Sequence, residues 1–153
     1  MMTKKILTID PGDHIGTLRV NINNTYDIDY IGHTIQGDNR LQELWQLLND
    51  YQPDEIVFER FALRANAAQK LVGNTFITCE VIGVVKLYVQ LNNVKCIELL
   101  PSTKEYCGVS SSPKDPKYTI IKFDDSEKIS EHVRDTYRLY SYYRLFGDKI
   151  NKK

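Results

Sequence analysis

Four side chains able to hold a hard cation stand far apart in this chain: Asp10, Glu59, His132 and Asp135. Asp10 ends the apolar run Ile6-Leu7-Thr8-Ile9 and is followed by Pro11-Gly12, which enforce a turn. Glu59 lies inside a second run of the same kind, Glu55-Ile56-Val57-Phe58-Glu59. A carboxylate in a buried strand is costly unless it is paired, protonated or bound to a metal, so two such placements need a reason. His132 and Asp135, three apart in a helical pattern, share one face of a helix. Carboxylate oxygens with an occasional imidazole suit Mg²⁺ or Mn²⁺, and a pair of such ions can clamp the attacking and leaving oxygens of a phosphodiester. Brought to one point, these residue types would support phosphodiester hydrolysis.

Each of the four also has an ordinary structural use. An Asp before Pro-Gly serves as an Asx-turn residue, Glu59 could pair with Arg60 or Arg64, and an acid near a helix N-terminus is favoured by the helix dipole alone. The combination carries the inference.

The elements that must position them follow from periodicity. Leu18, Val20 and Ile22 alternate with polar residues, as do Tyr26, Ile28 and Tyr30, and Asn23-Asn24-Thr25 lies between, so a hairpin follows the first strand. Leu41, Leu44, Trp45 and Leu48 recur at helical spacing, and this helix should end near Tyr51, before Pro53. The Glu59 strand is apolar at nearly every position and is expected to be central and parallel. A loop through Phe61 and Arg64 leads to a long helical stretch from about Ala65 to Leu91, apolar around much of its circumference and interrupted by Gly73 and Gly83. One side would pack on the sheet and the other could meet a second subunit. Val94 to Leu100 gives a fifth strand, Ser102 could cap a short helix through Tyr106, and the segment through Ser112-Pro113 and Asp115-Pro116 is a loop. A final helix runs from about Ser130, a candidate N-cap, to Phe146. Three antiparallel strands, then helix, strand, helix, strand and helix define a mixed five-stranded α/β sheet flanked by helices. If the first and fourth strands pair in parallel, Asp10 and Glu59 become neighbours, and the last helix brings His132 and Asp135 over the same end.

The bulk numbers set bounds. A chain of 153 residues, 42% of them hydrophobic, suits one domain, here taken as 1–153, with a single core. No apolar run approaches the roughly 18 residues of a membrane span, and the start, Met1-Met2-Thr3-Lys4-Lys5, does not resemble a signal peptide, so a soluble, cytoplasmic protein is expected. Cys79, Cys96 and Cys107 lack metal-ligand spacing and are expected to be reduced thiols. A formal charge of zero gives no overall attraction to nucleic acid, but from Pro101 onward 11 Lys/Arg stand against 8 Asp/Glu.

Ile9-Asp10-Pro11-Gly12, the strand Ile56-Val57-Phe58-Glu59, and His132-x-x-Asp135 followed by Thr136 together resemble the RuvC branch of the RNase H-like nucleases, the Holliday-junction resolvases. The resemblance spans nearly the whole chain, in the same order. It implies an RNase H-like domain acting as a homodimeric, Mg²⁺-dependent endonuclease that makes paired nicks at a four-way DNA junction, with Mn²⁺ as a substitute metal and neither membrane nor nucleotide cofactor involved. Carried over by position, Asp10 would bridge two ions, Glu59 would bind one, and His132 with Asp135 would complete the site. The family's aromatic residue after the strand glutamate has its nearest equivalent in Phe61, beside Arg64. The family's phosphate-contacting lysines have candidates in Lys104, Lys114 and Lys117, though only Gly108 remains of a glycine-rich stretch there. Tyr137, Tyr140, Tyr142 and Tyr143 fall at helical spacing and are expected to fill core and interface. His14 and His33 have no partner identifiable from sequence and are taken as structural.

Other functions fit less well. An actin-like or sugar-kinase-like ATP binder would need a second domain and a glycine-rich phosphate loop, and neither is present. A catalytically idle DNA-binding module would not need all four candidate ligands. A broader branched-DNA or flap endonuclease, or an RNase H, remains the rival among nucleases, and the helical His-x-x-Asp pattern favours the RuvC-like branch.

Overall fold

Unbroken apolar runs in the central strands give a sheet that is buried on both sides, and the helices take the face each set of residues offers. In a computed structural model of the chain, the residues described are 3–24, 27–60, 74–100, 121–123 and 131–150, with backbone alone for 74–76, 121–123 and 145–150. The strands are β1 (Lys4–Asp10), β2 (Ile15–Asn24), β3 (Asp27–Ile35), β4 (Glu55–Glu59), β5 (Lys95–Leu99) and β6 (Ile121–Phe123), and the helices are α1 (Arg40–Tyr51), α2 (Asn74–Asn92) and α3 (Glu131–Ile150). They form one sheet in the order β5-β4-β1-β2-β3-β6. β1, β2 and β3 are antiparallel in succession, while β4 pairs in parallel with β1 and β5 in parallel with β4.

The five expected strands and their directions are present, and the mixed RNase H-like α/β sheet is the observed architecture. One element is additional: the three-residue β6 pairs in parallel with β3 at the far edge. A segment that short has too little alternation to stand out in sequence. The hairpin residues 25–26, the start of the long helical stretch, the Ser102 cap, the 110–116 loop, Cys107 and the Ser130 cap lie outside the described residues.

Two apolar layers lie on opposite faces of the sheet. Ile6, Leu18, Val20, Val57, Ile97 and Leu99 meet Val133, Tyr137, Leu139, Tyr140 and Tyr143 of α3. Leu7, Ile9, Ile56 and Phe58 meet Leu44 and Leu48 of α1 and Val81, Val85 and Tyr88 of α2 on the other side. Adjacent strand residues therefore serve different layers, and each large apolar side chain so buried contributes about 1.5–3 kcal/mol relative to exposure. Tyr137, Tyr140 and Tyr143 are core residues, as their spacing suggested, and Tyr30 packs its ring against both Tyr137 and Tyr140. α1 ends where expected, with Gln52 in the left-handed conformation and its N–H donating to the Leu48 carbonyl at 3.0 Å.

The sheet's other end carries a buried polar cluster. Glu55, at the start of β4, accepts hydrogen bonds from Tyr143 Oη at 2.5 Å and Lys4 Nζ at 2.8 Å, and Lys95 Nζ lies 3.7 Å away. Burial pushes the Glu55 carboxyl upward, but these partners outweigh it and hold its pKa below the ordinary value. α3 is thereby pinned to the sheet far from Asp10.

Candidate active site

Parallel pairing decides where the two strand carboxylates lie. β1 and β4 run in register from Ile6 opposite Glu55 to Ile9 opposite Phe58, and one further step brings Asp10 alongside Glu59. Both residues end their strands, so both stand at the carboxyl edge of the parallel part of the sheet, the edge at which open α/β sheets take ligands. Alternation then selects the face. Ile6 on β1 and Val57 on β4 belong to the α3 layer, and Asp10 and Glu59, separated from them by even numbers of residues, face the same way.

The first turn of α3 closes over that edge. His132 Nδ1 lies 3.9 Å from Asp10 Oδ2, with the two side chains 37% and 13% exposed. The Asp10 carboxylate, as polar partner of this ring, is the largest influence on His132 and raises its pKa; partial burial opposes it, and the charges of Asp10, Glu131 and Asp135 add to it. A cation at a helix N-terminus is disfavoured by the helix dipole, so the surrounding carboxylates set the sign here. Asp135, one turn on, is 3.6 Å from Arg138 Nη1. The Oε2 atom of Glu59 is buried. Arg60, a possible partner for Glu59 by sequence, lies 4.0 Å from Glu98 Oε2 instead.

Close approach of α3 depends on Gly16, which lies opposite Asp10 on β2. A Cβ at this position would come within 2.3 Å of the His132 carbonyl oxygen. Only a residue without a side chain lets the helix backbone sit this near the strand. Thr136, next to Asp135, is fully buried and its hydroxyl donates to the Val133 carbonyl at 2.6 Å, which satisfies the group inside the helix. Thr8, two residues before Asp10 on the same face, is fully buried, and its Oγ1 has no hydrogen-bond partner among the described residues.

Asp10 and Glu59 end adjacent strands, His132 lies beside Asp10 and Asp135 follows one turn along α3, but these residues do not form a closed set. Among the described residues, no three His, Cys, Asp or Glu side chains group closely enough to hold a metal ion. In chemistry, two strand-end carboxylates with an imidazole and a further carboxylate from the covering helix fit a hard divalent cation. Phe61, Arg64, Lys104, Lys114 and Lys117, the candidate DNA contacts, lie outside the described residues.

A residue set aside as structural belongs to this site. The His14 ring stacks on His132, with ring centroids 5.2 Å apart and planes inclined by 4°. Its closeness to Asp10, in the turn that Pro11-Gly12 begins, was the one trace of this in the sequence. The stacking partner is 118 residues away and could not be found by spacing.

No protein-family model matches the sequence, and no curated protein does. Among solved structures, the chain is similar to Thermus thermophilus RuvC in complex with a Holliday junction substrate, with a TM-score of 0.66 and 14% identity over 95% of this chain and 96% of that one. It is also similar to Ydc2, the yeast mitochondrial Holliday junction resolvase, with a TM-score of 0.60 and 15% identity over 97% and 81% of the two chains. The Fowlpox virus resolvase, in complex with substrate Holliday junction DNA, has a TM-score of 0.57 and 16% identity over 92% and 99%. With the sheet order, the crossover from β1 to β4 and the covering α3 all in place, the chain has the fold of the RuvC-like Holliday-junction resolvases.

Proposed function

We propose that this chain is a structure-selective DNA endonuclease that resolves four-way junctions by divalent-metal-dependent phosphodiester hydrolysis. The observation that carries this is the meeting of Asp10 and Glu59, from distant parts of the sequence, beneath His132 at the carboxyl edge of a sheet. Of the solved proteins of the same fold, the yeast mitochondrial and Fowlpox virus ones are named as resolvases, and the Fowlpox virus one and Thermus thermophilus RuvC are in complex with a Holliday junction.

Asp10 and Glu59 would hold Mg²⁺, with His132 and Asp135 completing the donor set. Divalent cations in such a site supply a water of lowered pKa and neutralise charge developing on the leaving oxygen. The protein's own part is to fix the donors. Asp10 orients the His132 ring, Gly16 lets α3 approach, and burial of Glu59 Oε2 keeps one carboxylate oxygen out of bulk water. Phe61 and Arg64 beyond β4, with Lys104, Lys114 and Lys117 before α3, are proposed to contact the DNA. Paired nicks require two active sites in one symmetric assembly. α2 supports a homodimer, because it exposes Leu87 and Leu91, one turn apart, at 50% and 66%.

A synthetic four-way junction tests the proposal. The chain is expected to nick it in Mg²⁺ or Mn²⁺, and Asp10→Asn or Glu59→Gln should lower the rate at least about a hundredfold while junction binding persists. Cutting that survives both substitutions would remove the mechanism. Equal cutting of forks, flaps and junctions would instead assign the chain to the broader branched-DNA nucleases.

A further inference from the structure

We propose that His14 is a positioning residue of this site, serving as the shelf on which the His132 ring lies, and that Arg40 holds the shelf in place by clamping Asp13. The inference rests on the nuclease reading above for its role, but its geometry stands apart from it. The turn that follows Asp10 touches α1 through Asp13 and α3 through His14. Arg40, the first residue of α1, donates from Nε to the Asp13 carbonyl at 3.1 Å and from Nη2 to Asp13 Oδ1 at 2.8 Å. Asp13 Oδ2 in turn lies 3.6 Å from His14 Nδ1. The His14 ring then meets His132 nearly parallel, on the opposite layer from α1.

A two-point guanidinium contact fixes orientation as well as distance, since one bond is to backbone and the other to side chain. The Arg40 side chain is only 18% exposed, so its contact with Asp13 is partly screened from water, whereas the Asp13 side chain is half exposed. His132 needs such support. Its contact with Asp10 is a long one at 3.9 Å, and an imidazole in the first turn of a helix can swing about its side-chain torsions. A flat neighbour on one ring face removes that freedom without occupying either ring nitrogen. Offset aromatic stacking at this separation has a geometric preference of its own. His132 is thus held on one side by Asp10 and on the other by a ring whose loop is anchored to α1.

The shape of the contact, not the chemistry of the His14 nitrogens, is what the proposal requires, and replacement variants separate the two. His14→Phe keeps a flat ring and His14→Ala removes it. Single-turnover junction nicking in Mg²⁺ should fall about three- to tenfold in His14→Ala, with junction binding unchanged, and should recover in His14→Phe. Arg40→Met, which keeps the length of the stem and loses the clamp, should fall in the same range. Equal losses in His14→Ala and His14→Phe would overturn the proposal and transfer the role to the ring nitrogens.

A second measurement needs no cleavage. In proton–carbon NMR spectra of the intact chain, the His132 ring signals, identified by their loss in His132→Gln, should shift in His14→Ala and stay near their original positions in His14→Phe. Unmoved His132 signals in His14→Ala would show that the rings do not stack and would overturn the proposal, whatever the enzyme cuts. Should the parent chain cut no junction, the nuclease reading fails while this spectral comparison still decides the contact. Thermal melting of each variant, monitored by circular dichroism, identifies any loss that comes from unfolding.

Discussion

Replacing Gly16 with alanine puts the approach of α3 to a quantitative test. The added methyl carbon would lie 2.3 Å from the His132 carbonyl oxygen and 2.6 Å from its carbonyl carbon. Both are backbone atoms, so neither can rotate aside as the tip of a side chain would. Ordinary van der Waals contact begins near 3.4 Å, and the strand and helix must therefore part by about 1 Å. That opening acts directly on the pair formed by His132 and Asp10, already 3.9 Å apart. Overpacking of this kind costs about 1–3 kcal/mol, which for a chain of this size lowers the melting temperature by about 2–12 °C. Displacing a catalytic group by about 1 Å can cost about a hundredfold in rate. Single-turnover nicking of a four-way junction, measured well below the variant's melting point, should show that larger loss, with junction binding retained. Gly83→Ala is the natural comparison, because an added Cβ there meets nothing within 4 Å among the described residues and alanine is the better helix former by about 1 kcal/mol. If Gly16→Ala melted and cut like the parent, α3 would not be seated on β2 through this contact, and the account of how His132 is placed would fall with it.

Removing one hydroxyl in Tyr143→Phe takes a charge-assisted hydrogen bond from the buried Glu55 carboxylate and should cost about 1.5–3 kcal/mol in denaturant unfolding, with little change in nicking at low temperature, since Glu55 starts the strand that Glu59 ends. Because the folded pKa of Glu55 is depressed, its contribution is complete above its ordinary value of 4.5 and disappears as pH falls through the lower folded value; unfolding free energy should drop in that acid window, and Glu55→Gln should flatten this part of the profile. Thr8→Val replaces a buried hydroxyl with a methyl of the same shape and should raise stability by about 1 kcal/mol in the same unfolding measurement, whereas a loss would reveal a polar partner for Thr8. Leu87→Glu with Leu91→Glu should convert a sedimenting dimer to monomer and abolish paired incision, and a dimer that survives both changes would move the interface away from this face of α2.

Much of this architecture was legible because it depends on local pattern. Alternation marked the β2 and β3 strands, an apolar run marked β1 and another marked β4 as central, and the 3.6-residue stripe of Leu41, Leu44, Trp45 and Leu48 marked α1. Those same patterns put Asp10 at the end of one apolar run and Glu59 within another, where a buried carboxylate is out of place without a partner. β6 escaped because three residues carry no period, and its pairing with β3 is settled across the sheet. Arg60 was one of two partners the sequence offered for Glu59, and its guanidinium lies 4.0 Å from Glu98 on the adjacent strand.

What the sequence determined by itself was which residue types are available for the proposed chemistry and which elements carry them. Tertiary structure decided the rest of the site. Register between β1 and β4 aligned Asp10 with Glu59, the hydrogen atom of Gly16 let α3 descend to the strand, and that descent laid His132 against both Asp10 and His14. Side-chain type is written residue by residue, so it can be read along the chain. Contacts such as His14 with His132 join residues more than a hundred positions apart, and they exist only because α3 packs across the sheet beside the turn that follows β1.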